Sequence, residues 1–275
     1  MKVLQRIFDF YINSSIHVAL AVVALTQITL LEYGESASWT LLLFNFFSTI
    51  VGYNFVKYSS ISKLHYRQFT RSIREIEILT IFSSVAMLFL FLKLSSTVMV
   101  CLLFLGVLTM FYVVPIFPNN KSLRRLSGVK VFIIGIVWVG VTFVLPILEI
   151  DQGFDRNIVV SIVQRFILIF VLMLPFEIRD LQYDDLRLAT IPQQLGTFKT
   201  KGFGIFLMLL FVVLEVFKES TLVLVAFLNA SIIAILAILF LVFAKESQSK
   251  YYSSFWVESL PVLWLVSQVV IHSIG

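Results

Sequence analysis

Charge and cysteine are scarce in this chain, and each shortage excludes something. Of 275 residues only 13% are charged, against about one quarter in a soluble domain. A single cysteine, Cys101, excludes an internal disulfide framework and a cysteine-based zinc site. Cys101 also lies inside an apolar run, as a packed thiol does. The three histidines, His17, His65 and His272, share no metal-ligand spacing. No carboxylate occurs between Glu35 and Glu75. The N-terminal stretch, residues 1–15, is polar and amphipathic, without the small-residue cleavage site of a secretory signal.

What is abundant is apolar surface. Hydrophobic residues make up 59% of the chain, 28 of them Phe, and the mean hydropathy is +0.98. A single globular core of this length cannot hide so much, so most of it must face lipid. Apolar stretches long enough to cross about 30 Å of hydrocarbon at about 1.5 Å per residue recur along the chain. They place about nine spans, near 14–32, 38–56, 76–93, 96–117, 130–149, 158–177, 202–217, 220–244 and 254–273. Barrel-type alternation is missing from these runs, and backbone groups in lipid must be satisfied within the protein, so the spans are helices. The fold class expected is an all-α polytopic membrane bundle, one domain over 1–275.

The net charge of +5 is juxtamembrane rather than a nucleic-acid footprint. With the N-terminus inside, 17 of the 21 Lys and Arg residues fall in inner segments. Lys93, Arg156 and Lys218 alone fall outside, and Arg165 lies within the sixth span. This bias predicts a cytoplasmic-type inner membrane with the N-terminus inside and the C-terminus outside. The inner loops 57–75 and 178–201 are long and charged, and loops of that size usually carry function.

Chemistry concentrates at the inner end of the sixth span, in Pro175-Phe-Glu177-Ile-Arg179-Asp180-Leu-Gln-Tyr183-Asp184-Asp185. Glu177, Asp180 and Asp184 are spaced i, i+3, i+7, which puts all three on one helical face. Stacked like charges at a bilayer boundary need a positive partner. That partner is either a hard divalent cation such as Mg²⁺, bridging carboxylates to phosphates, or the neighbouring Arg179 and Arg187 on a solvated face. Polar residues within spans are few: Gln27, Asn45, Gln164, Arg165 and Asn229. Arg165 is expected to snorkel to the outer surface, or else to pair with a buried carboxylate or carbonyl. Glu258, near the inner end of the last span, is a candidate partner for the inner site.

Glu177-Ile-Arg-Asp180-xxx-Asp184, followed by Thr190-Ile-Pro-x-x-Leu195-Gly196, resembles the second aspartate-rich motif of the UbiA-type intramembrane prenyltransferases. Phe111-Tyr112-Val-Val-Pro115, then Lys121-Ser-Leu-Arg124, resembles that family's Tyr/Pro/Lys segment after the fourth span. The family's first motif, Asn-Asp-x-x-Asp-x-x-x-Asp, meets Asn54 here, but Phe55, Tyr58 and Ser62 stand at its aspartate positions. The resemblance implies transfer of a polyisoprenyl group from a prenyl diphosphate to a lipophilic, often aromatic or quinoid, acceptor. It implies Mg²⁺ on Glu177, Asp180 and Asp184, catalytic roles for Tyr112 and Lys121, and substrate contacts from Asn54, Lys57, Tyr58, Arg124 and Arg179. Two alternatives stand beside it: a non-catalytic isoprenoid- or lipid-binding descendant of the fold, and a small-molecule transporter. Membrane lipid is an expected partner and nucleic acid is not; the sequence does not specify an oligomeric state.

Aspartates giving way to a neighbourhood rich in Lys57, Lys63 and Arg67 suggest that lysine supplies the missing charge at the diphosphate. Replacing Lys57 by Ala is then expected to weaken prenyl diphosphate binding by about 10- to 100-fold, the worth of one charged contact of ~1.5–3 kcal/mol. Equilibrium binding of a labelled diphosphate reads this out, and unchanged affinity removes the idea.

Overall fold

A computed structural model describes residues 2–58, 70–114, 123, 128–184, 188–219 and 223–274. Among these residues the chain is helical, with no strand. The helices are α1 (Lys2–Asn13), α2 (Ile16–Glu32), α3 (Trp39–Tyr58), α4 (Thr70–Phe91), α5 (Ser96–Val113), α6 (Lys130–Val139), α7 (Leu145–Glu149), α8 (Arg156–Asp180), α9 (Ile191–Glu215), α10 (Val223–Phe243) and α11 (Leu260–Ile274). A π-helical turn, Gly140–Val144, joins α6 to α7, and a second, Tyr252–Val257, precedes α11.

Seven helical segments among the described residues are long and apolar enough to cross a membrane. The number is eight if α1 and α2, bent by 53° at Ser15, count as one broken span. The expected nine includes α4, which is 22 residues long but carries Arg74, Glu75 and Glu77 in its first two turns. Those charges keep it outside the length-and-composition criterion. The seventh expected span, 202–217, is part of the longer α9, so the inner loop is shorter than the sequence suggests. Helix α9 starts early because Gln193 Oε1 accepts the Thr190 N–H at 3.0 Å and Pro192 suits the first turn. Gly196, at φ +78°, kinks the helix shortly afterwards.

The core gathers around α8. In its membrane-length window 61% of residues are buried, against 17% for α5, which marks α8 as the axis and α5 as a lipid-facing element. Leu168, Val171, Leu174 and Ile178 of α8 pack with Leu25, Met208, Phe211, Ile233 and Leu241 from α2, α9 and α10. Lipid-facing positions carry exposed aromatics such as Phe82, Phe104, Phe206 and Phe243.

Asn45, Gln164, Arg165 and Asn229 each bond across helices, while Gln27 Oε1 and Ser83 Oγ are buried without a hydrogen-bond partner. A π turn shifts the register of helical hydrogen bonds, and here two of its carbonyls accept from side chains. Asn45 Nδ2 donates to Val141 O at 3.2 Å and Thr29 Oγ1 to Thr142 O at 2.8 Å. Gln164 Nε2 donates to Phe211 O at 2.9 Å, and Asn229 Oδ1 accepts from Ser267 Oγ at 3.0 Å. Arg165 does not snorkel outward. It is 2% exposed and donates to Leu25 O at 2.9 Å and Thr29 Oγ1 at 3.2 Å, with its guanidinium 5.1 Å from the Trp264 ring centroid. The carbonyl on α2 and the aromatic face are nearer than the bilayer surface, so pairing wins over snorkelling.

Glycine permits the closest approach of helices. A Cβ on Gly204 would lie 2.3 Å from Leu241 Cδ2 and 2.9 Å from Leu174 Cδ1, and both leucines are fully buried. Gly204→Val should therefore lower stability by about 1–3 kcal/mol through overpacking where α8, α9 and α10 meet. Thermal unfolding of the detergent-solubilised protein measures this, and an unaltered melting temperature counts against the packing described.

Candidate functional site

One end of the bundle collects the charges: the end of α3, the start of α6, the end of α8, the start of α9 and the π turn before α11. Backbone and side-chain bonds draw these segments together. Gly128 N donates to Leu188 O at 3.0 Å, which sets the entry to α6 against the α8–α9 connection. Gln248 Nε2 donates to Pro175 O at 3.3 Å, and Lys57 Nζ donates to Asn13 O at 3.1 Å. Asp9 on α1 accepts from Lys250 and, at 2.6 Å, from the Tyr251 hydroxyl, bracing α1 against the loop that leads into α11. The bond to Asp9 raises the Lys250 ammonium above the usual lysine range.

Helix α8 ends at Asp180, so Asp184 lies in the turn beyond it instead of on one continuous helical face with Glu177 and Asp180, and the three have different surroundings. Glu177 is buried, its side chain 1% exposed, with Oε1 2.7 Å from Lys130 Nζ. The same ammonium lies 3.6 Å from Asp184 Oδ2. Asp180 pairs instead with its neighbour, Oδ1 accepting from Arg179 Nε at 2.8 Å. Past the end of α8, Asp184 N donates back to Asp180 O at 2.8 Å, holding those two residues on one turn. Glu177 Oε2 is buried without a hydrogen-bond partner.

A second cluster adjoins the first. Glu258 interacts with the charges of Lys57 and Arg179, so the end of α3, the end of α8 and the last span converge on one patch. The guanidinium of Arg179 also sits 5.2 Å from the centroid of Phe176.

Beside these clusters lies a cavity of about 1090 Å³ enclosed by α3, α4, α5 and α6. It is at the upper end of the ~300–1,000 Å³ of small-molecule sites, and its wall is mostly apolar and aromatic. Tyr53, Tyr112 and Trp138 line it, with Trp138 Nε1 donating to the Tyr53 hydroxyl at 2.9 Å. Tyr112 is within electrostatic reach of Lys130, and Tyr53 of Glu258, while the one charged side chain on the cavity wall among the described residues is Glu77. Gly52 and Gly106 face this space, where an added Cβ would meet nothing within 4 Å.

Of the residues singled out in the sequence, Asn54, Tyr58 and Tyr112 line the cavity. Lys57, Arg179, Glu177, Asp180 and Asp184 form the two clusters. Lys121 and Arg124 lie outside the described residues, as do Lys63 and Arg67. The Tyr58 hydroxyl donates to Asn13 O at 2.9 Å. Asn54 is buried and spent at both ends of its amide: Oδ1 accepts from Ser15 Oγ and Nδ2 donates to Thr80 Oγ1, each at 2.8 Å. Sequence reasoning did not single out Lys130, which counted merely as one more inner cation. Its position at the first turn of a span, two residues after Gly128, was the available signal. Glu77 and Thr80, on the cavity wall, carried no signal because α4 read as a plain span.

The fit of a divalent cation follows from this geometry. Mg²⁺ uses one or two carboxylates together with substrate phosphates and keeps water ligands. Asp180 and Asp184, whose side chains are 25% and 22% exposed, suit that description. Glu177 offers one unpartnered oxygen but is closed in by Lys130. Among the described residues no group of three Asp, Glu, His or Cys side chains is spaced to grip a metal by itself.

Solved structures with the same fold include a UbiA homologue from Aeropyrum pernix K1, with a TM-score of 0.64 at 14% identity, covering 94% of this chain and 98% of the other. A UbiA homologue from Archaeoglobus fulgidus bound to GPP and Mg²⁺ gives 0.62 at 14% identity, covering 96% and 99%. A digeranylgeranylglyceryl phosphate synthase gives 0.55 at 15% identity, covering 98% of each chain. No protein-family profile and no curated protein sequence matches the chain. The chain therefore has the UbiA-type prenyltransferase fold over nearly its whole length.

Asn54 tests how the cavity is built. Asn54→Leu strands the Ser15 hydroxyl, while Thr80 keeps its bond to Ile76 O, and should cost about 1–3 kcal/mol for the orphaned group. Unfolding in detergent checks the loss; a melting temperature equal to that of the parent protein contradicts the pinning role.

Proposed function

We propose that this protein is an intramembrane prenyltransferase-like enzyme that moves a polyisoprenyl group from a prenyl diphosphate to a lipophilic acceptor, aromatic or quinoid in class. The observation that carries the reading is a large aromatic cavity whose wall tyrosines, Tyr112 and Tyr53, lie within electrostatic reach of Lys130 and Glu258, on a fold whose solved examples include one bound to GPP and Mg²⁺. An isoprenoid diphosphate has the same two parts, a long apolar chain and a trianionic head.

In this reading Lys57 and Arg179 meet the diphosphate, joined by Lys121 and Arg124. Asp180 and Asp184, with Glu177 behind them, would hold Mg²⁺, and the ion would supply positive charge to stabilise the departing pyrophosphate. The C–O bond breaks with its electron pair going to pyrophosphate. The allylic carbon then bonds to the acceptor, which loses a proton. Tyr112, Tyr53 and Trp138 place aromatic faces beside the allylic centre, where they favour positive charge and exclude water. Asn54 and Tyr58 hold the head-group end of α3 in place. The basic-residue asymmetry puts this end of the bundle on the cytoplasmic side of an inner membrane, N-terminus inside and C-terminus outside.

A second reading, a binder of isoprenoid diphosphates without chemistry, is favoured by one feature, the uncharged Phe55 and Tyr58 at the first-motif positions. Passage of a solute is disfavoured because Asn45, Gln164, Arg165 and Asn229 are engaged in bonds between helices.

Radiolabelled prenyl diphosphate incubated with purified protein, Mg²⁺ and mixed quinoid acceptors should yield lipid-soluble product. Asp180→Asn and Asp184→Asn should each reduce it by roughly 100-fold, the scale of losing one charge-stabilising group. Retention of labelled diphosphate without product would favour the binder, and indifference of both binding and turnover to Mg²⁺ would sink both accounts of the acidic face.

A further inference from the structure

The acidic face is already partly neutralised by the chain itself. Lys130 Nζ stands 2.7 Å from Glu177 Oε1 and 3.6 Å from Asp184 Oδ2. The space around it, bounded by Gly128, Lys130, Glu177 and Thr190, is about 10 Å³, room for one water and not for an ion with its hydration shell. Lys130 is delivered there by backbone rather than by chance of rotamer. Gly128, at φ +70°, takes a conformation that L side chains rarely adopt, and its N–H is bonded to Leu188 O. The α6 entry is thereby fixed against the α8–α9 connection, with the ammonium facing α8.

Charge counting gives the consequence. Three bare carboxylates present three negative charges; with Lys130 and Arg179 paired among them, a single negative charge is left. The first-motif segment adds no carboxylate to hold another ion, since Phe55 and Tyr58 occupy its aspartate positions.

Resting on the prenyl-diphosphate reading above, we propose that Lys130 is a fixed cation of the diphosphate site. It occupies the place between Glu177 and Asp184 that a divalent ion would otherwise take. The complex with a prenyl diphosphate then holds one divalent cation, at Asp180 and Asp184, instead of two. Glu177 acts on this site as a positioning residue, anchoring the ammonium from its buried side. Its unpartnered Oε2 becomes a metal ligand only when the lysine is removed.

The test counts ions. Purified full-length protein in detergent is saturated with a non-ionising thio analogue of geranyl diphosphate, and Mn²⁺ bound at saturation is counted by electron paramagnetic resonance. The expected count for the parent protein is one, and log affinity for the analogue should rise with log Mg²⁺ concentration at a slope of about one. Lys130→Gln frees Glu177 and Asp184 and should raise the count to two, whereas Lys130→Arg should leave it at one. Lys130→Gln combined with Glu177→Gln should return it to one, because the pocket then lacks its buried carboxylate. Two ions in the parent protein overturn the proposal and leave the prenyl-diphosphate reading standing. A folded Lys130→Gln protein that still binds one ion also overturns it. Should that variant not fold, the parent count and slope decide alone. Failure of the analogue to bind with or without Mn²⁺ overturns this proposal and the functional reading together.

Discussion

Inside hydrocarbon no water offers a hydrogen bond, so every polar group in a span must find its partner in the protein. This constraint organises the bundle more than its apolar packing does, because lipid tails are as apolar as leucine and give helices little reason to associate. The π turn after α6 presents two carbonyls, and Asn45 and Thr29 meet them from neighbouring helices. Arg165 is held by the α2 backbone and by Trp264. These bonds set the registry of α2, α3, α6 and α8, and with it the walls between which the cavity opens.

At the charged end the same constraint acts on whole charges. Burying Lys130 and Glu177 costs each its hydration, and their attraction at short range offsets that cost without making the pair a strong source of stability. Pairs of this kind are more informative about placement than about folding energy. This one fixes the start of α6 against the end of α8. The prenyl-diphosphate reading asks for positive charge held in advance, and Lys57, Lys130 and Arg179, from three different helices, are the cations it draws on.

Much of the architecture was legible because hydropathy is local. A run of twenty apolar residues reads as a span whatever its neighbours do, whereas the i, i+3, i+7 spacing of Glu177, Asp180 and Asp184 suggested one helical face and the helix stops at Asp180, leaving Asp184 in the following turn. Arg165 was misjudged because snorkelling depends on distance to the surface, whereas the winning partner, Leu25 O, is 140 residues away in sequence. Lys130 was invisible for the same reason, since one basic residue at a span boundary is what the topology rule expects at any inner loop.

The sequence by itself determined that the chain is a helical membrane protein with its basic and acidic groups gathered at one boundary, since composition and period act residue by residue. Which carboxylate is buried, which is neutralised by lysine and which stays open to a cation were decided only when α6 and α8 came together. Charges interact over a few ångströms of space, and that proximity has no counterpart in the order of residues along the chain.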